Sequence, residues 1–338
     1  MYLVVSVKLF GYDTFLLTFS TPTLAKAKTL LDAHDAYHLI CHRGPDGDAL
    51  GSMLGLYHLL QIVYPAKRIT LHCVDSAPDS FSYLPGVHLI EQELATDNDS
   101  LIICLDCAEA HMTMYHETHN ELFDASQPML VLDHHISNPG FGTCNIVIPT
   151  ASSTCEIVLE LAQQWKWNVN ESAATSLLTG IYTDTGGLLH SNTSPNVYRS
   201  VAALLRAGAD RQAIIKHVFR TTSVNELRLW GRILERVSIT EEGGAIAAVT
   251  QEDFKATNTT ASDLEGAIDY INAIPGMKFS LLLSEREGGL VKGSLRTLRD
   301  DVDVAAMAGK LDGGGHKKAA GFALNGKLVP EVRWKVVD

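Results

Sequence analysis

The chain has 338 residues, more than one hydrophobic core of typical size contains, so its length predicts two domains. Apolar residues make up 46% of the sequence, a fraction typical of a globular protein. The formal net charge of -12 argues against a protein that coats long nucleic acid, because affinity for the phosphate backbone comes from clustered Lys and Arg, whereas a short anionic ligand is compatible with it.

Residues 1–20 form an N-terminal extension. They are apolar but interrupted by Lys8, Gly11 and Asp13, and they lack the basic start and the small-residue cleavage site of a signal peptide. The two apolar runs on either side of Gly11 predict a hairpin. No run in the sequence reaches the roughly 20 uninterrupted apolar residues that a membrane-spanning helix needs, so we expect no membrane partner.

Strands and helices alternate through the first half of the chain. Three apolar runs have the length and β-branched content of strands buried on both faces, at 37–41, 101–105 and 129–132. Helices are predicted at 23–34, 50–63, 153–165, 171–183, 195–209, 211–219 and 224–237. This alternation predicts an α/β fold with a parallel sheet that is covered by helices on both faces.

Aspartate and histidine residues follow each of these strands at the point where it ends. The first strand is followed by His42, Asp46 and Asp48, the second by Asp106, the third by Asp133, His134 and His135, and Asp184 ends the helix predicted from 171. In an open parallel sheet, ligands gather outside the carboxyl ends of the strands. The four carboxylates of Asp46, Asp48, Asp106 and Asp184 would repel one another at one point, so we predict a metal site in which two divalent cations balance their charge.

The character of the sequence changes after Ser238. Strands are predicted at 245–249, 279–283 and 289–295, and helices at 262–272 and 303–311. These elements predict a second, smaller mixed α/β domain. We expect an extension over 1–20, a parallel-sheet domain over 21–222, a linker helix over 223–239 and a C-terminal substrate-binding domain over 240–338, with the active site in the cleft between the two domains.

Six cysteines occur in the chain, at 41, 73, 104, 107, 144 and 155. Several lie inside apolar runs, which is typical of reduced, buried thiols, so we expect a cytoplasmic protein.

The set of motifs resembles the DHH phosphoesterase family. The segment from His42 to Ser52 is similar to its first motif, Asp106 to its second, Asp133-His134-His135 to its third and Thr183-Asp184-Thr185-Gly186 to its fourth. The segment 313–322, with Gly293-Ser294-Leu295-Arg296 upstream, is similar to the C-terminal domain that accompanies the DHH domain. The resemblance covers residues 22–326. Within the family, the chain is most similar to the nanoRNase and pAp phosphatase subgroup.

The resemblance implies a centre of two metal ions. It implies His42, Asp46, Asp106 and Asp184 around one ion, and Asp48, Asp106 and His134 around the other, with Asp106 as the bridge. Oxygen and imidazole ligands without a thiolate suit Mn²⁺, with Mg²⁺ or Co²⁺ as alternatives. By the same resemblance, Asp106 and His135 are catalytic and Asp133 orients a neighbouring ligand.

Phosphate contacts are expected in the C-terminal domain. Residues 286–318 carry seven Lys or Arg against five acids, which reverses the overall charge balance. Arg296 can hold a phosphate through two hydrogen bonds, and the glycine loop at 313–315 offers unobstructed N–H groups. The resemblance implies a substrate-binding set of Ser294, Arg296, Gly314, Gly315 and His316.

The implied activity is manganese-dependent hydrolysis of short oligoribonucleotides to mononucleotides and of pAp to AMP. A close alternative is a phosphodiesterase for pApA or cyclic dinucleotide signals, which these motifs do not distinguish from the first. A remote alternative is a non-catalytic nucleotide-binding module, which the presence of all six candidate metal ligands disfavours. The expected partner is therefore a short oligonucleotide or nucleotide, and related proteins are consistent with a homodimer.

Overall fold

The computed structural model describes residues 17, 19–95, 100–123, 127–264 and 266–329. The chain divides into two compact units, Met1–Thr221 and Thr222–Asp338. The N-terminal hairpin predicted from the sequence lies outside the described residues. Within those residues, no helix combines the length and the apolar character that are needed to cross a membrane.

The first unit is built on a parallel sheet of six strands. They are β1 (Ala36–Ile40), β2 (Arg68–His72), β3 (Ile90–Glu91), β4 (Leu101–Leu105), β5 (Met129–Asp133) and β6 (Cys144–Val147), in the spatial order β3-β2-β1-β4-β5-β6. Every neighbouring pair is parallel. All residues of β1, β4 and β5 are buried, as expected for strands covered on both faces. The predicted fold class of this unit is confirmed.

The helices of the first unit agree with the predicted segments to within a few residues. They are α1 (Thr21–Ala33), α2 (Gly47–Val63), α3 (Thr154–Gln164), α4 (Glu171–Asp184), α5 (Pro195–Arg206) and α6 (Arg211–Ile214), and α6 continues as a π-helix over Ile215–Phe219. Side chains at Asp46, Ser153 and Asn170 accept hydrogen bonds from the first turns of α2, α3 and α4, which fixes where these helices begin.

Helices α2 and α4 pack closely because glycines line their contact. Gly47, Gly51 and Gly55 recur every four residues on one face of α2. A β-carbon at Gly51 would lie 2.5 Å from the Ser176 carbonyl oxygen, and one at Gly55 would lie 2.5 Å from a methyl group of Leu177. This stripe of small residues allows the amino end of α2 to lie beside the carboxyl end of α4.

The second unit contains a mixed sheet. Its strands are β7 (Ser238–Ile239), β8 (Gly244–Val249), β9 (Phe279–Arg286), β10 (Leu290–Arg296), β11 (Gly314–His316) and β12 (Ala319–Asn325), in the order β11-β12-β10-β9-β8-β7. Among these described strands, β8 and β9 form the one parallel pair, and the other neighbours are antiparallel. The helices are α7 (Val224–Glu235), α8 (Gln251–Thr257), α9 (Ala267–Asn272) and α10 (Val304–Gly309). The predicted mixed α/β character is confirmed.

Helix α7, which the sequence suggested as a linker, packs as part of the second unit. Leu229 and Ile233 of this helix are fully buried in the hydrophobic core of the second unit, together with residues of β8 and α9. Arg232 of α7 and Arg236, just after it, donate hydrogen bonds to the buried carboxylate of Asp253 at the start of α8. Apolar and polar contacts therefore both attach this helix to the second unit.

Candidate metal centre

The six predicted ligands meet at the carboxyl edge of the first sheet. His42 lies two residues beyond β1, Asp46 and Asp48 begin α2, Asp106 follows β4, His134 follows β5 and Asp184 ends α4. The donor atoms of these six residues and of His135 form three groups in which all atoms lie within 4.8 Å of one another: His42, Asp46 and Asp106; Asp48, His134 and Asp184; and Asp106, His134 and His135. The fold therefore brings all six residues together.

Asp106 is shared between these groups. Its Oδ2 lies 3.6 Å from Nε2 of His42, and its Oδ1 lies 3.7 Å from Nε2 of His134. The two oxygens of one carboxylate thus face two different groups of donor atoms. This is the geometry that a bridging ligand between two cations requires.

The position of Asp184 differs from the predicted grouping. Its Oδ2 lies 3.3 Å from Nε2 of His134, and it groups with Asp48 and His134 instead of with His42. The physical reason is the close packing of α4 on α2, which holds the carboxyl end of α4 beside Asp48. The structure thus divides the donor set into His42, Asp46 and Asp106 on one side and Asp48, His134 and Asp184 on the other.

Burial and the repulsion of neighbouring carboxylates disfavour ionisation of Asp48 and Asp184. Burial, and then the charges of Asp106 and Asp184, raise the pKa of Asp48 well above its usual value. Burial and the charges of Asp106 and Asp46 raise the pKa of Asp184 to about 8. Burial opposes a charge on His42, but the carboxylates of Asp106 and Asp46 outweigh it and raise the pKa of His42 to about 11. Cations would relieve this repulsion, so the donor set fits divalent metal ions.

The amino end of α3 holds two of the aspartates in place. The backbone N–H groups of Thr154 and Cys155 donate to the two oxygens of Asp48 at 2.6 and 2.9 Å, and the Thr154 hydroxyl donates to Oδ1 of Asp106 at 3.0 Å. A helix amino end favours such a negative partner. Thr154 is not among the site residues predicted from the sequence, although Ser153-Thr154 before a helical segment is a typical helix start.

His135 is oriented from behind by Asp133. Nδ1 of His135 donates to Oδ1 of Asp133 at 2.8 Å, and Asn138 donates to the other oxygen of Asp133 at 2.7 Å. The hydrogen bond to Asp133 raises the pKa of His135. Asp133 is fully buried, whereas the His135 side chain is 40% exposed. A fixed, partly exposed imidazole beside Asp106 is suited to contact a bound phosphate.

The backbone at Asp106 adopts the left-handed conformation, with φ of 57°. Its N–H donates to the Leu132 carbonyl of the neighbouring strand at 3.0 Å, which fixes this turn at the end of β4. Asp and Asn tolerate this conformation better than other non-glycine residues. Unfavourable backbone conformations of this kind concentrate at functional sites, where the surrounding structure maintains them.

The five predicted substrate-binding residues lie on neighbouring strands of the second unit. Ser294 on β10 pairs with Gly321 on β12, which pairs with Gly314 on β11. Two rows further along, Arg296 pairs with Ala319, which pairs with His316. Gly315 lies in the row between these two, where it pairs with Ala320. The register therefore places the five residues in three consecutive rows at one end of the sheet.

Glycine is required at two positions in this loop. Gly315 has φ of 141°, and a β-carbon there would lie 2.6 Å from the Ala319 carbonyl oxygen. A β-carbon at Gly313 would lie 2.6 Å from Cβ of Phe322. The backbone consequently lies against β12 with no room for side chains at positions 313 and 315, whereas position 314 is open.

The local excess of basic residues is partly neutralised in the structure. Arg299 pairs with Asp301 at 2.6 Å, and Lys318 pairs with Asp300 at 2.7 Å. Arg296 donates to the Leu295 carbonyl and forms no ion pair within the described residues. Its guanidinium thus retains donors for an anion.

Two family models match the chain, one in each unit. The DHH family N-terminal domain matches residues 37–181, and the DHHA1 domain matches residues 243–337. The bifunctional oligoribonuclease and PAP phosphatase NrnA of Thermus thermophilus is 32% identical over 318 residues, which cover 92% of this chain and 91% of that protein. With this fold and this cluster of aspartates and histidines, the chain belongs to the DHH phosphoesterase family. The resemblance inferred from the sequence is confirmed.

Two further relatives extend the comparison. The crystal structure of an exopolyphosphatase-related protein from Bacteroides fragilis aligns with a TM-score of 0.80 at 26% identity, covering 91% of this chain and 93% of that one. The cyclic-di-AMP phosphodiesterase PdeA of Listeria monocytogenes is 25% identical over 91% of this chain but over 48% of its own length. The chain thus spans about half of that relative.

Proposed function

We propose that this protein is a manganese-dependent phosphoesterase that hydrolyses short oligoribonucleotides to mononucleotides and pAp to AMP. The observation that carries the proposal is the shared position of Asp106 between two groups of donor atoms. The Thermus thermophilus relative, named an oligoribonuclease and PAP phosphatase, supports the choice of substrates.

Two divalent cations would be held by the two donor groups. His42, Asp46 and Asp106 would hold one, and the other would be held by Asp106 together with Asp48, His134 and Asp184. Oxygen and nitrogen donors without a thiolate favour Mn²⁺, with Mg²⁺ or Co²⁺ as alternatives. When bound, such ions neutralise phosphate charge and make water a stronger nucleophile at neutral pH.

The remaining chemistry falls to side chains of the chain. His135, fixed by Asp133, would donate a hydrogen bond or a proton to an oxygen of the scissile phosphate. Thr154 and the amino end of α3 would keep Asp48 and Asp106 in position.

In the second unit, the row that contains Arg296 and His316, with Ser294 and the glycines at 314 and 315, would bind another part of the substrate. A homodimer and a cytoplasmic location stay predictions.

A phosphodiesterase for pApA or cyclic dinucleotides is the second candidate. The Listeria monocytogenes relative, named a cyclic-di-AMP phosphodiesterase, favours it. The same donor groups would serve either substrate, so the two candidates differ only in which ligand the protein accepts.

A turnover assay distinguishes these candidates. Purified full-length protein is treated with EDTA, reconstituted with Mn²⁺, Mg²⁺, Co²⁺ or Zn²⁺, and assayed on pAp, pApA, cyclic di-AMP and RNA of two to five nucleotides. We expect no activity in EDTA and the highest activity with Mn²⁺ on pAp and short RNA. Preferred cleavage of cyclic di-AMP would favour the second candidate. Full activity of both EDTA-treated protein and the Asp106→Asn variant would contradict metal catalysis.

A further inference from the structure

The loop that follows Asp184 has an unusual backbone. Gly186, Gly187 and Leu188 are consecutive residues with φ of 57°, 68° and 74°. The Leu188 side chain packs against the core of the first unit, and the Leu189 N–H donates to the Thr185 carbonyl at 2.8 Å. The left-handed backbone at these positions anchors Leu188 and leaves Leu189 87% exposed. A large apolar side chain is therefore presented to solvent five residues after a predicted metal ligand.

An aromatic ring lies against the same loop. Phe219 ends the π-helix Ile215–Phe219, and a β-carbon at Gly187 would lie 3.5 Å from its ring. The buried ring of Tyr182 meets Phe219 nearly edge-on, with centroids 6.3 Å apart and planes at 72°. Phe219 nevertheless remains 40% exposed. Because π-helical turns frequently occur at functional sites, this placement indicates more than a packing role.

We propose that Phe219 and Leu189 form a base-binding surface beside the metal centre, on which a nucleobase of the substrate stacks against Phe219. The inference rests on the proposed function, since it assigns a binding surface to the base of a nucleotide whose phosphate would lie at the metal centre. A nucleotide has a charged phosphate, which cations can bind, and a flat base, whose π-face can stack on an aromatic side chain. The Gly186–Leu188 loop connects the metal centre to the Phe219 ring, because it begins two residues after Asp184 and Gly187 lies against that ring.

The surface predicts tolerance of base identity. Stacking uses the π-face that every base offers, and no hydrogen-bonding side chain is needed for it. The ligand class is therefore a nucleotide of any base in preference to a phosphoester without one.

The test compares a nucleotide with its base-free analogue. Wild type, Phe219→Ala, Phe219→Tyr and Leu189→Ala are assayed with Mn²⁺ on pAp and on ribose 3′,5′-bisphosphate. Tyr198→Ala is the matched control, because Tyr198 is an aromatic residue on α5 that is 54% exposed. We expect Phe219→Ala to raise KM for pAp about tenfold with kcat nearly unchanged, and to leave KM for the base-free analogue within about twofold. Phe219→Tyr keeps the ring and should restore the wild-type KM.

The outcomes separate the inference from the proposed function. Wild type that hydrolyses pAp while Phe219→Ala and Leu189→Ala keep its KM would overturn the base-binding surface and leave the proposed function standing. Equal losses on both substrates would also overturn it, because they indicate a structural role. Wild type that is inactive on pAp and on short RNA would overturn both. Thermal unfolding shows whether Phe219→Ala folds. If it does not, the Leu189→Ala variant decides the question, because the Leu189 side chain is exposed and its removal should raise KM for pAp alone.

Discussion

Gly180 on α4 lies directly against Asp48 on α2: a β-carbon at position 180 would stand 2.6 Å from Oδ1 of Asp48 and 2.9 Å from its Cα. Asp184 lies four residues further along α4, on the same face of the helix. The contact between these two helices therefore sets the separation of Asp48 and Asp184. Helix packing and metal-ligand geometry are coupled at a single glycine.

The first prediction concerns this glycine. Gly180→Ala should destabilise the protein by about 1–3 kcal/mol, because the backbone of Asp48 has no room to move aside. It should also weaken Mn²⁺ binding, since α4 would carry Asp184 away from Asp48. Urea unfolding and calorimetric titration of the metal measure the two effects.

Gly231→Ala is the matched control for this substitution. Gly231 is exposed on α7, and a β-carbon there would have nothing within 4 Å. Alanine at this helical position should be neutral or should stabilise by up to about 1 kcal/mol. A Gly180→Ala variant that binds Mn²⁺ and unfolds like wild type would contradict the coupling.

The second prediction concerns Asp106. Asp106→Asn should lower kcat by about 10²-fold or more at saturating Mn²⁺, because a neutral amide does not replace a shared carboxylate. The variant should fold, since Asn accepts the left-handed backbone at this position, whereas Asp106→Ala should cost roughly 1 kcal/mol more in stability. In EDTA, Asp106→Asn should be at least as stable as wild type because one repelling charge is gone. A near-normal kcat would exclude the bridging role.

The sequence identified most of the metal centre, for a reason that is local. Strands β1, β4 and β5 are buried on both faces, so each is an unbroken apolar run whose end can be recognised, and the ligands follow those ends. Strand β2 (Arg68–His72) mixes charged and apolar residues and is exposed at one end, so it has no such signature. The grouping of Asp184 was not predictable from the sequence, because it depends on glycines of two helices that meet only in the folded chain.

The third prediction uses pH and concerns the second unit. Burial opposes ionisation of Asp253, but hydrogen bonds from Arg236, Thr250 and Arg232 outweigh it and lower its pKa. A carboxyl group whose pKa is lower in the folded state stabilises the fold above its unfolded pKa of about 4, and this contribution is lost as pH falls through the folded pKa. The second unit should therefore lose stability below about pH 4.

Asp253→Asn tests this assignment. At pH 7 the variant should lose about 1.5–3 kcal/mol, the range for hydrogen bonds to charged groups. Urea unfolding of wild type and variant between pH 7 and pH 3 should show the difference shrinking as the pH is lowered. A difference that is constant over this range would indicate that the charge of Asp253 does not stabilise the unit.

The last prediction is that Arg296 makes the enzyme prefer short substrates. Arg296 lies in one row of the sheet with Ala319 and His316, and its guanidinium forms no ion pair within the described part of the chain, so a phosphate is a suitable partner for it. A charge-assisted bidentate contact is worth about 1.5–3 kcal/mol, so Arg296→Ala should raise KM for pAp and for dinucleotides by about ten- to a hundredfold. Lys292→Ala is the matched control, because it removes an exposed positive charge from the same face of β10 about 13 Å away. The measurement is kcat/KM on RNA of two, five and twenty-four nucleotides with wild type and both variants. We expect the shortest RNA to be cleaved fastest and Arg296→Ala alone to remove that preference. Equal rates on all three lengths in wild type, or an unchanged dinucleotide KM in Arg296→Ala, would show that this residue does not select substrate length.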